Sequence, residues 1–140
     1  MTRSGRTLFA VALLLLAAAV YETFSSHPSG SSEPIAQLRA EGRSGVFVEG
    51  TGSVDRLLED DRDGSRHQRF VLRLEDGHSL LVSHNIDLAP RLEELELGDV
   101  VTFRGRYEWN ERGGVLHWTH HDPALRKPGG WLQHRGVTYR

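Results

Sequence analysis

A mainly β fold, a small OB-like five-stranded barrel of order β-β-β-α-β-β with a short helix ahead of it, is predicted by three features of the 140-residue sequence. Five segments alternate apolar and polar residues. A single helical period falls between the third and fourth of them. Glycines at 45, 50 and 52 mark a first strand bent enough to serve both halves of a barrel. A generic β-sandwich is the alternative, and the one well-placed helix counts against it.

The tether SSHPSGSS over 25–32 comes first, rich in Ser, Gly and Pro and without an apolar period. In SSEPIAQLRAEG, Ser32 is an N-cap candidate, Pro34 suits the first turn, Ile35 and Leu38 lie three apart and Gly42 can terminate. That predicts a short helix, which must dock on something to persist. Residues 25–43 are therefore expected to be a linker with a short helix, and residues 44–140 the barrel domain. GVFVEGTGSVDRLL is the bent first strand, and DDRDGSR over 60–66 is a polar turn. HQRFVLRLEDG alternates, with Phe70, Leu72 and Leu74 facing one way and Arg69, Val71 and Arg73 the other. Asp76-Gly77 signals a hairpin, and HSLLVSHNI is the returning strand.

Leu88, Leu92 and Leu95 then fit a helical period, with Asp87 as cap and Gly98 as terminator, so a helix is expected over residues 88–97. VVTFRGRYEW resumes alternation, with Val101, Phe103, Tyr107 and Trp109 on one face and Thr102, Arg104, Arg106 and Glu108 on the other. NERGG turns the chain into a fifth strand, VLHWTHH. The tail KPGGWLQHRGVTYR is too apolar for a free end. It is expected to dock back on the barrel and carry His134 toward residues 117–122.

Composition narrows the chemistry. With no Cys, disulfides, iron–sulfur clusters, thiolate nucleophiles and Cys-ligated zinc are excluded. At 38% hydrophobic and 26% charged, neither a disordered nor a polytopic membrane protein fits. Arg3 and Arg6 precede an uncharged apolar run from Leu8 to Val20, the pattern of a secretory signal within residues 1–24. Ala17 and Ala19 make cleavage after Ala19 the preferred reading. The alternative is an uncleaved membrane anchor, since the 18 residues from Thr7 to Phe24 are only just short of the about 20 that span a bilayer. Either way the protein is expected to be exported, periplasmic or secreted. Removing residues 1–19 leaves 15 basic against 19 acidic residues. A mildly acidic mature chain argues against bulk nucleic-acid binding without forbidding a local basic stripe.

Two constellations are candidates for a site. The first is HWTHHD, with His117, His120, His121 and Asp122, to which His84 and, less directly, His67 and His134 add imidazoles from strand ends and the tail. Imidazole and carboxylate are the ligand set of zinc or another divalent transition metal. A regular strand would put His117 and His121 on one face and Trp118 and His120 on the other. Convergence therefore requires the strand to end near Thr119 or ligands to arrive from elsewhere. The second is the row Arg69, Arg73, Arg104 and Arg106 on the outward faces of the second and fourth strands, suited to an extended polyanion or saccharide. A solvated strand face paired with nearby acids is the plainer reading of that row.

The runs HQRF at 67–70, HNIDLAPR at 84–91, GDVVTFRGRYEWNERGGVLHWTHHDP at 98–123 and GW at 130–131 followed by Tyr139 closely resemble an exported bacterial family, the domain-of-unknown-function family 3465. The likeness covers about Gly50 to the C-terminus and implies a small envelope domain. It also implies a further His shortly after Pro123, where this chain has Leu125, Arg126 and Lys127. If that His is a ligand in the family, metal binding is weakened here.

Two classes of function follow. The first is an exported binding module that holds a polyanion or saccharide, with a His-rich rim suited to a divalent metal. The second is a metal-dependent phosphodiesterase or nuclease, in which the His cluster holds the ion, the ion lowers the pKa of its bound water, and Arg69 or Arg104 steadies the phosphate. No nucleophile–base pair, P-loop or paired carboxylates appear, so binding ranks first.

Overall fold

The computed structural model of the protein describes residues 34–140. The expected export segment, the tether and the Ser32 cap lie outside the described residues. Among those described, no helix is long and apolar enough to cross a membrane.

Helix α1 (Ile35–Glu41) starts at Pro34, which serves as cap without any side-chain bond, and stops at Gly42 in the left-handed region (φ 64). Its carbonyls are closed off by Gly42 N–H to Arg39 and Arg43 N–H to Leu38. A seven-residue helix is marginal by itself. This one persists by burying Ile35 and Leu38 in the barrel core.

The strands are β1 (Val46–Leu57), β2 (His67–Leu74), β3 (Ser79–Asn85), β4 (Val100–Glu108) and β5 (Val115–His117). β1 pairs with β4 through Val46 to Ser53 and with β2 through Gly52 to Leu57, with a register shift between Val54 and Arg56. The bend falls at the glycines. A Cβ on Gly50 would lie 2.7 Å from the Phe103 ring, and one on Gly52 would lie 3.0 Å from the Arg73 carbonyl. β3 pairs in parallel with β5, and β5 antiparallel with β4, so the order β1-β2-β3-β5-β4 closes on β1. The result is a closed five-stranded barrel, as the alternation implied. Phe70, Leu72, Leu80, Val82, Val101, Phe103, Tyr107 and Leu116 fill it.

The tail pairs with the barrel. β6 (Trp131–His134) and β7 (Val137–Tyr139) form a hairpin that pairs with the first half of β4, and Leu132 is fully buried.

Two expected elements are corrected. The helix expected over residues 88–97 does not form, and this segment is a chain of turns. Pro90 has no N–H to give to a helix and disfavours helical geometry at Ala89. Two residues later, Gln68 reaches out of β2 and takes both backbone groups of Leu92: the N–H donates to Oε1 at 2.9 Å, and Nε2 donates to the carbonyl at 3.1 Å. Leu92 is thereby buried in the core while Leu88 and Leu97 stay exposed, so no single apolar face exists. Likewise the fifth strand ends at His117 rather than running through His121, because Trp118 turns into the left-handed region (φ 56).

The clamp makes a prediction. Gln68→Leu keeps the volume but leaves the Leu92 N–H and carbonyl unpaired, at a cost of about 1–3 kcal/mol. Urea unfolding should show the lower midpoint, and hydrogen exchange should show the Leu92 amide losing protection selectively.

Candidate binding groove on the outer face of β2 and β3

The histidines are held one by one. His84, at the end of β3, is fully buried. Its Nε2 lies 2.9 Å from the Pro90 carbonyl, which can only accept, so Nε2 carries the proton and Nδ1 accepts from the Thr119 hydroxyl at 2.7 Å. Burial pushes its pKa down, reinforced by repulsion from His120 and His67 and opposed by the Pro90 bond. His117 lies 3.3 Å from the Glu108 carboxylate. Nδ1 of His120 donates to the His121 carbonyl at 2.7 Å, and the ring lies against Trp118. His121 is exposed. Nδ1 of His67 donates to the Ser65 carbonyl.

Asp122 is occupied by backbone. Its oxygens accept from the N–H groups of Ala124, Arg126 and Lys127, led by Ala124, and these hold its pKa below the usual range. His134 bonds Asp99 at 2.7 Å and stands opposite Val101, whereas His117 stands opposite Arg106. Five residues of β4 separate the two positions, roughly 17 Å along the strand. The tail thus docks without carrying His134 to the 117–122 segment. The expected convergence of His84, His117, His120, His121, Asp122, His67 and His134 is not formed. Among the described residues no three His, Asp or Glu side chains are grouped to hold a metal ion.

The arginine row divides. Arg73 makes paired bonds to Asp55 at 2.9 and 3.3 Å and a further one to the Gly77 carbonyl. Arg104 is bound to Glu49 at 2.6 Å and to the Gly129 carbonyl, and lies over the Phe47 ring. Arg106 pairs with Glu108 at 3.1 Å. These three are neutralised by the acids that β1 and β4 place beside them. Arg69 differs. Its Nε donates to the Glu59 carbonyl at 3.1 Å, which fixes the side chain, and no carboxylate among the described residues meets its two Nη groups.

Arg69 is one wall of a groove of about 360 Å³. The floor is Val71 and Leu81, opposite each other on β2 and β3, and Arg56 lies opposite Val71 on β1. Arg56 and Leu58 supply one rim, where β1 leaves for the β1–β2 loop. Asn110, Arg112 and Gly114 of the β4–β5 loop supply the other. Three arginines, Arg56, Arg69 and Arg112, therefore border a partly apolar floor, and among the described residues no acidic residue lines the groove. Among the described residues none of the three has an ion pair. Guanidinium forks left free above an outward apolar floor suit carboxylate, sulfate or phosphate groups on a chain that also offers apolar surface.

Outward alternation pointed to Arg69 but missed Arg56 and Arg112. The available signal was position, because the loops after the first and fourth strands of an OB-type barrel flank the β2–β3 face.

A family model described as "Protein of unknown function (DUF3465)" matches residues 16–140. The chain belongs to this family. The match takes in the whole barrel and its docked tail, and agrees with the resemblance carried by the HNIDLAPR and THHDP runs. A search of curated proteins found no match. Leu125, in the stretch where the resemblance implied a further His, is 84% exposed at the tip of the loop that Asp122 closes.

Proposed function

We propose that this DUF3465 protein is an exported binding module that holds an extended polyanion in the groove over β2 and β3. The observation that carries the reading is that Arg56, Arg69 and Arg112 have no ion pair among the described residues, whereas the other outward arginines on β2 and β4 are met by acids. The loops framing the groove are those through which OB-type barrels take oligonucleotides and oligosaccharides. Binding is favoured over metal-assisted hydrolysis by the state of the imidazoles. His84 has both nitrogens engaged and the Asp122 oxygens are taken by backbone, which leaves no open coordination geometry around them.

The test is titration of the purified protein with inorganic polyphosphate at low and at physiological salt, with dextran as the neutral control. Polyphosphate should bind, more weakly as salt rises, and dextran should not. Arg69→Ala and Arg112→Ala should each lower affinity about tenfold, the equivalent of a charged hydrogen bond of about 1.5 kcal/mol. Polyphosphate affinity indifferent to both substitutions would remove the groove as the site.

A further inference from the structure

A second cleft, of about 310 Å³, adjoins the arginine groove and shares Asn110 with it. Trp109, Glu111, His78 and the α1 residues Ala36 and Ala40 line it. Trp109 follows the end of β4 and is 42% exposed, where unbroken alternation would have set it inward with Val101, Phe103 and Tyr107, and its backbone N–H is fixed by the Ser44 hydroxyl at 2.8 Å. Trp109 is therefore partly open to solvent on a positioned backbone. The charges around it are uneven. Arg39 and His78 both lean on Asp76, at 4.0 and 2.9 Å, whereas Glu111 has no ion pair among the described residues.

Resting on the reading of the groove as an anion site, we propose that groove and cleft together hold an acidic glycan in which charged and uncharged sugars alternate. An uncharged ring lies on Trp109, and the acidic group of the next sugar meets Arg112, Arg69 and Arg56. The C–H face of a sugar ring packs on the electron-rich face of an indole, and a free carboxylate such as Glu111, with Asn110 beside it, accepts or exchanges hydrogen bonds with hydroxyls. Single-stranded nucleic acid fits less well. Every nucleotide brings a phosphate, so a base stacked on Trp109 would set its own phosphate near the Glu111 carboxylate.

The experiment compares three probes on the full mature protein: a short hyaluronan oligosaccharide, in which acidic and neutral sugars alternate, oligo-dT, and inorganic polyphosphate. Each is titrated against the native protein, Trp109→Ala and Trp109→Phe. The hyaluronan fragment should bind more tightly than oligo-dT and perturb tryptophan fluorescence. Trp109→Ala should weaken it at least tenfold with polyphosphate unchanged, and Trp109→Phe should restore most of the loss. Tighter binding of oligo-dT, or hyaluronan affinity untouched by Trp109→Ala, overturns the glycan assignment while leaving the anion groove in place. Equal losses for hyaluronan and polyphosphate would show that Trp109 acts on the groove as a whole, and overturn it too. Failure of polyphosphate itself to bind removes the groove and this proposal together.

Discussion

Gly130→Ala is expected to lower Tm by about 10–20 °C, because the tail can no longer seat on β4. The Cβ would lie 2.0 Å from the Trp118 carbonyl, 2.6 Å from the Arg104 carbonyl and 2.9 Å from the Thr119 Cα, all of them backbone atoms. Flexible side-chain ends can swing away from such an approach, but here the tail would have to part from two segments of main chain, β4 at Arg104 and the turn at Trp118–Thr119. The segment is held there by Gly130 N–H to the His120 carbonyl at 2.7 Å and by Arg104 Nε to the Gly129 carbonyl at 3.1 Å. Behind it come the β6 pairing and the fully buried Leu132. Overpacking costs about 1–3 kcal/mol, and the backbone approach puts this site at the upper end. A domain of this size moves about 4–8 °C per kcal/mol. Thermal unfolding of the variant gives the shift directly, and limited proteolysis should find the residues after Asp122 newly accessible. Native-like Tm together with native-like protection of the tail would contradict the packing described.

His84→Ala should cost more, about 3–5 kcal/mol, since it opens a cavity at a fully buried position and strands both the Thr119 hydroxyl and the Pro90 carbonyl. It should also erase a pH dependence. In the fold, burial holds the His84 pKa below its ordinary value of 6.5. Above that value neither the folded nor the unfolded chain binds a proton there, and the contribution is fully present. As pH falls through 6.5 toward the depressed folded value, the unfolded chain takes a proton that the folded one refuses. Stability then declines, with a slope of at most about 1.4 kcal/mol per pH unit. The lowered carboxylates, such as Asp60 with Arg91, Asp87 with Arg66 and Asp122 on its backbone donors, act only below their ordinary value of 3.8, so the two ranges separate. Denaturant midpoints measured from neutral to mildly acidic pH should fall in the native protein and stay flatter in the variant. Parallel profiles would mean that His84 is not the group responsible.

The arginine groove illustrates how far alternation reaches. Period two placed Arg69, Arg73, Arg104 and Arg106 on outward faces, and all four do face outward, but three of them are cancelled by acids. Asp55 meets Arg73 from the next strand, and Glu49 meets Arg104 across the β1–β4 ladder, 55 residues away in sequence. Only strand register decides such pairings. Arg56 and Arg112 look unremarkable in the chain, one at the end of a strand and one in a turn. They become a pair of rims once β1 and the β4–β5 loop are closed around the β2–β3 hairpin.

Local chemistry alone determined the first four strands, the hairpin at Asp76-Gly77, the bend at Gly50 and Gly52 and the stop at Gly42. Each depends on side-chain alternation or on a backbone conformation that few residues adopt, and both are written within a few neighbouring positions. The tertiary structure decided the rest: Gln68 took the backbone of Leu92 where a helix was expected, and His84 found Thr119 and Pro90 in place of other imidazoles. The docked tail, in turn, set His134 on Asp99. These outcomes turn on which polar group lies within about 3 Å of which. That distance is set by barrel closure between residues far apart in the chain, which no local period encodes.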